Sequence, residues 1–102
     1  MLLRFGDFTL DTGLAELRGP DGPVPIEPKP LALLALLAEN TDRVLGRDAM
    51  IEAIWGGRIV SDAAVSTVLK QVRKALGDDG RKQAFIRTVH GHGHRFVAEV
   101  RI

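Results

Sequence analysis

The chain has 102 residues, 45% of them hydrophobic, no cysteine and a formal net charge of +1. That size suits one domain with a modest core, and that hydrophobic content belongs to a folded chain. Without cysteine there is no disulfide framework, thiol nucleophile or cysteine zinc site, which suits a reducing cytoplasm.

Met1 to Arg4 runs straight into alternating residues and not into an apolar signal-peptide core. The longest apolar run, Leu31 to Ala38, is too short to span a bilayer. Between Leu2 and Ile26, the short segments Leu3–Phe5, Phe8–Leu10, Leu14–Arg18 and Val24–Ile26 alternate with turn residues such as Gly6-Asp7, Asp11-Thr12-Gly13 and Gly19-Pro20-Asp21-Gly22-Pro23. Turn signals this close together predict a small antiparallel meander, with Asp7, Asp11 and Asp21 bonding local backbone. Pro28 and Pro30 suit the first turn of a helix that continues from Leu31 to about Asn40. Leucines at 31, 33, 34, 36 and 37 point in several directions, the mark of a central, buried helix.

Arg43–Leu45 reads as a very short strand, and Arg47–Trp55 as a second helix with Met50, Ile51, Ile54 and Trp55 on its apolar side. Gly56–Val60 links it to the stretch Ser61–Leu76, where Val65, Leu69, Val72 and Leu76 fall on one helical face and Val68 and Ala75 widen the stripe. Ser61 is the expected N-cap, Asp62 suits the positive end of the helix dipole, and Gly77 closes the C-terminus. The opposite face carries Ser66, Thr67, Lys70, Gln71, Arg73 and Lys74. A rod of roughly 24 Å, basic along one side, fits a major groove about 12 Å wide.

Asp78–Gln83 reads as a solvated polar loop, followed by strands at Phe85–Val89 and His94–Val100 joined by His90-Gly91-His92-Gly93. Two helices, the second one basic, and then a glycine-bearing hairpin make a helix-turn-helix followed by a wing. Arg87, Thr88, His90, His92 and Arg95 are the groups the wing offers to a phosphate backbone or a minor groove. Charge is polarised to match. Residues 1–46 hold four basic and seven acidic groups, net −3; residues 47–102 hold ten and six, net +4.

Other chemistry is poorly supplied. In an extended strand His90, His92 and His94 would share a face, but a tight turn at the glycines breaks that alignment, so no metal or other cofactor is expected. Gly91-His92-Gly93 has no helix after it to cradle a phosphate, and neither Ser61 nor Ser66 has a histidine at motif spacing, so no catalytic residue is expected. The rival reading is a winged-helix module that binds protein and not DNA. Hydroxyls, an amide and cations on the reading helix, with no exposed aromatics, favour DNA; four or five phosphate contacts would give a salt slope of roughly −4 to −5.

The residues from Arg4 to Val97 resemble the OmpR/PhoB-type winged helix-turn-helix effector domain of bacterial transcriptional regulators. The resemblance lies in the opening strands, Glu27-Pro28 before a leucine-rich helix, Arg47-Asp48…Ile51…Trp55-Gly56, Val65…Leu69…Val72-Arg73-Lys74-Ala75-Leu76, and Ile86-Arg87-Thr88-Val89-His90-Gly91-His92-Gly93-His94-Arg95-Phe96. It implies an α+β fold: a four-stranded antiparallel sheet over residues 1–27, three helices over 28–77 with the recognition helix at about 61–76, and a hairpin wing over 84–101.

It also implies a third helix in the major groove, a wing at the adjacent minor groove, RNA polymerase contact through Gly56–Val60, and head-to-tail pairing on direct repeats. A bacterial cytoplasmic, nucleoid-associated place follows from the same resemblance, and in relatives that begin this way a sensory, catalytic or membrane portion often follows. Three positions depart from the family pattern: Val68 stands where relatives often carry a polar contact, His90 where many have a wing arginine, and His94 where tyrosine is usual.

Overall fold

In the computed structural model, which describes residues 1–102, the turn-rich N-terminal part closes into a four-stranded antiparallel sheet. Its strands are β1 (Leu2–Phe5), β2 (Phe8–Asp11), β3 (Glu16–Gly19) and β4 (Gly22–Pro23), hydrogen-bonded in chain order. The register aligns Leu3 with Leu10 and Leu10 with Leu17, so period-two alternation puts all three leucines in one buried row. Of the three turn aspartates only Asp11 bonds local backbone as expected, its Oδ1 accepting from the N–H groups of Gly13 and Leu14, both at 3.0 Å; Asp7 and Asp21 make no side-chain hydrogen bond.

Three helices follow, α1 (Pro28–Ala38), α2 (Arg47–Trp55) and α3 (Asp62–Ala75), and then a two-stranded hairpin of β5 (Ile86–Val89) and β6 (Gly93–Phe96). Leu31, Leu33, Leu34 and Leu37 of α1 are all buried, and the helix packs against α2, α3 and β6, the central position its all-round leucines require. Phenylalanines join the sheet to the hairpin. Phe5 meets Phe96 edge-on at 5.0 Å between centroids and Phe85 at 6.0 Å, and Phe8 meets Phe85 at 5.7 Å. Each such pair adds roughly 0.5–1.5 kcal/mol beyond its buried area. The hairpin therefore stands on the same core as the helices.

Several boundaries differ from expectation. β3 starts at Glu16 and not Leu14, because Ala15 sits at φ 51° and leaves Leu14 72% exposed. Val24–Ile26 forms no strand; Pro23 and Pro25 lack N–H donors, and only the Val24 N–H continues the pairing, to Leu17 O at 2.8 Å. α1 begins at Pro28 and is over by Ala38, short of Asn40. The expected strand at Arg43–Leu45 is a single bridge, Leu45 N–H to His94 O at 2.7 Å and His94 N–H to Leu45 O at 2.9 Å.

β6 stops at Phe96 and does not reach Val100. Past Val97, whose N–H still meets Phe85 O, the tail turns away to cover the open edge of β1, where Arg4 and Arg101 exchange backbone hydrogen bonds of 2.7 and 2.8 Å. A strand edge left open presents unpaired N–H and C=O groups, and the tail covers part of it.

Candidate nucleic-acid interface

Helix α3 is built as its sequence demands. Ser61 Oγ accepts from the Ala64 N–H at 3.1 Å, Asp62 lies in the first turn, Lys74 in the last, and Gly77 adopts φ 69° just past the end. Val65, Val68, Leu69, Val72 and Leu76 are buried. Val68, the departure from the family pattern, thus serves the core and is withdrawn from the outer face. At the helix entry, Arg47 pairs with Asp62 and donates through Nη2 to Val60 O at 2.7 Å, an exposed link from α2 to the connection and to α3.

On the outward face Ser66, Thr67, Lys70, Gln71 and Lys74 are all exposed. Together they form a row of two hydroxyls, one amide and two ammonium groups along a rod of roughly 21 Å. No aromatic interrupts it. Beside it the hairpin sets Arg87 directly opposite Arg95, both exposed. Like charges facing each other across a ladder destabilise it unless an anion lies between them. Arg95 is partly tied back, Nε donating to Thr41 O at 3.1 Å.

The three wing histidines diverge. His90 and His92 are exposed at the tip, whereas His94 turns inward with its Nδ1 buried and unpartnered. Burial, and then the charge of Arg73, hold the His94 pKa below its usual 6.5, so the ring is neutral at physiological pH. Gly93 is required where it is: at φ 141° its Cα faces the Leu45 carbonyl so closely that any Cβ would collide with it.

Two expectations need correction. Arg73, placed by its sequence position among the exposed cations, is 8% exposed; its Nη2 donates to Ile86 O at 3.0 Å and to Thr88 Oγ1 at 3.1 Å. The signal was available, since Arg73 lies one turn past Leu69, about 40° around the helix from it at ~100° per residue. Thr88 is correspondingly half-buried, with its N–H spent on Gln83 Oε1.

Asp78, expected to be solvated, is 6% exposed and accepts from the N–H groups of Asp79, Ala84, Phe85 and Ile86. Burial pushes its pKa up, but these four donors outweigh burial and hold it below the ordinary 3.8. Asp79 is also held low, by the N–H groups of Lys82 and Arg81. A buried acid that organises a loop leaves no periodicity, so only its place just after the helix-ending glycine hinted at the role.

Residues 21–96 match the family model described as "Transcriptional regulatory protein, C terminal". The chain is 41% identical over 96 residues to the transcriptional regulatory protein QseB of Escherichia coli O157:H7, covering 90% of this chain and 40% of that protein. Across the curated relatives it matches, the chain spans from 16% to 40% of their length. The fold superposes on the DNA-binding domain of E. coli CadC with a TM-score of 0.83 and 25% identity, over 98% of this chain and 94% of that one. It also superposes on the Klebsiella pneumoniae RstA DNA-binding domain in complex with the RstA box, with a TM-score of 0.82 and 23% identity, over 94% and 96% of the two chains. At that identity the likeness is one of fold.

Proposed function

The chain belongs to the family of C-terminal domains of transcriptional regulatory proteins, of the OmpR/PhoB winged-helix type, and from that membership we propose that it binds double-stranded DNA sequence-specifically as the effector domain of a bacterial regulator. The observation that carries this is the outward face of α3: Ser66, Thr67, Lys70, Gln71 and Lys74 stand exposed on a helix whose other side is buried in the core. Lys70, Lys74, Arg87 and Arg95 meet phosphates, which position the domain. Thr67 and Gln71 read base edges, the glutamine amide being matched to adenine. Ser66 stands nearer the helix start on the same face, and His90 and His92 extend the wing tip toward the minor groove.

The domain acts by binding and not by catalysis, without metal or cofactor, and in the cytoplasm where its DNA lies. Gly56–Val60 is the surface offered to RNA polymerase: the loop stands out from the core with Ile59 fully exposed, and Arg47 bonds the Val60 carbonyl at its far end. Two copies sit head to tail on direct repeats. Selecting 30-base-pair duplexes from a random library with the 102-residue chain should enrich one motif, and footprinting should cover about one turn of helix per copy. A library that leaves the selection as random as it entered would refute sequence-specific binding.

A further inference from the structure

The contacts proposed above leave the two buried charged residues, Arg73 and Asp78, without a role. Both lie at the end of α3. They grip the same stretch of the wing. The Ile86 N–H donates to Asp78 Oδ2 at 3.3 Å while its carbonyl accepts from Arg73 Nη2 at 3.0 Å, so one residue of β5 is held from both sides. The same Nη2 reaches Thr88 Oγ1 at 3.1 Å, and the Asp78 carboxylate also takes the N–H groups of Ala84 and Phe85 at 2.8 and 2.9 Å. The two grips are themselves joined, because the Asp78 N–H donates to the Arg73 carbonyl at 2.7 Å.

We propose that Arg73 and Asp78 form a yoke that sets the angle of the wing against the recognition helix, making them positioning residues in DNA recognition. This rests on the DNA-binding reading. Arg73 is then no phosphate ligand, although its sequence position suggests one. Its Nε is buried with no acceptor, so its hold on the wing rests on Nη2. The groove that borders it is also lined by Lys70, Lys74, Asp78 and Asp79, and the two lysines, unlike Arg73, are exposed to a phosphate there. Arg87 follows Ile86 directly in β5 and Thr88 comes next, so a shift of the yoke swings the wing's DNA-facing groups while the outer row of α3 stays in place.

The test uses the duplex selected by the wild-type chain, with Arg73→Lys, Asp78→Asn and the phosphate-contact control Lys70→Ala, each first confirmed folded by circular dichroism. Lysine keeps the charge but cannot reproduce the planar fork. Asp78→Asn removes a negative charge from a polyanion's ligand, so simple electrostatics makes it bind more tightly; the yoke makes it bind more weakly. Expected are affinities about tenfold lower for Arg73→Lys and Asp78→Asn, with hydroxyl-radical protection lost on the wing flank and kept over the α3 contact.

The slope of log K against log salt should fall by about 1.8 for Arg73→Lys and Asp78→Asn, as Arg87 and Arg95 leave the backbone, and by about 0.9 for Lys70→Ala. An unchanged slope in Arg73→Lys, which keeps its charge and so would keep a direct phosphate contact, affinity within twofold of wild type, tighter binding by Asp78→Asn, or protection lost evenly across the site would each overturn the proposal. If Arg73→Lys does not fold, Asp78→Asn decides. A wild-type chain that selects no duplex would instead sink the DNA-binding reading beneath it.

Discussion

Replacing Asp78 by alanine removes the acceptor of four backbone N–H groups at once. Two of them, on Asp79 and Ala84, belong to exposed residues and find water. The other two do not: Ile86 is wholly buried and Phe85 half-buried under the aromatic cluster. A buried donor left unpaired costs roughly 1–3 kcal/mol, so the pair should cost about 3 kcal/mol. That is a large share of the 5–15 kcal/mol typical of a domain, and at ~4–8 °C per kcal/mol the melting point should fall by roughly 12–24 °C. Asp78→Asn keeps one accepting oxygen and should lose about half as much.

The effect also has a pH signature. The folded-state pKa of Asp78 is depressed, so its stabilisation is present above 3.8, the ordinary value, and is lost as pH falls through the folded value. Thermal melts followed by circular dichroism should therefore show a wide gap between wild type and Asp78→Asn at pH 7 that narrows below about pH 3.8. Melting points within 2 °C of each other at pH 7 (a margin of about 0.3–0.5 kcal/mol), or a gap that stays constant into acid, would refute the role assigned to this carboxylate.

Other perturbations follow from the same geometry. Gln71→Ala should relax preference at one base position, costing about 1–3 kcal/mol on the selected site, measured by competition with single-base variants; equal losses on every sequence would remove Gln71 from base reading. Gly93→Ala forces a Cβ into the Leu45 carbonyl and should destabilise the chain by more than about 2 kcal/mol in urea unfolding, and a neutral result would contradict that close approach. His94 has a depressed folded pKa, so the stability it contributes is present above pH 6.5 and lost as pH falls below it; His94→Tyr should flatten the stability profile between pH 5 and 7. An unchanged profile would place that titration elsewhere. Ser61→Ala should cost about 1 kcal/mol through its lost cap, read from the same melts.

What the residues disclosed in advance divides by range. Signals within one turn were legible: Ser61 and Gly77 mark the ends of α3, and the apolar spacing of Met50, Ile51, Ile54 and Trp55 gave α2 its bounds. Interactions between distant segments were not. Nothing near Arg101 says that it will pair with Arg4, and nothing near Leu45 says that the wing's second strand will lean on it. The site divides in the same way. Lys70, Gln71 and Lys74 were readable as an outer row because helical periodicity alone puts them there, whereas Arg73 and Asp78 are set by partners thirteen and eight residues further on. A buried charge is defined by what it meets, and that is tertiary information.

The salt dependence of duplex binding tests the assignment most directly. With Arg73 buried, four cations remain to meet phosphates: Lys70, Lys74, Arg87 and Arg95. Fluorescence anisotropy titrations of the 102-residue chain on its selected duplex, from dilute buffer to 0.3 M salt (about 6 Å of Debye screening at the upper end), should give a log–log slope of about −3.6. No binding in dilute buffer, or a slope near zero, would mean that this face was not made for DNA.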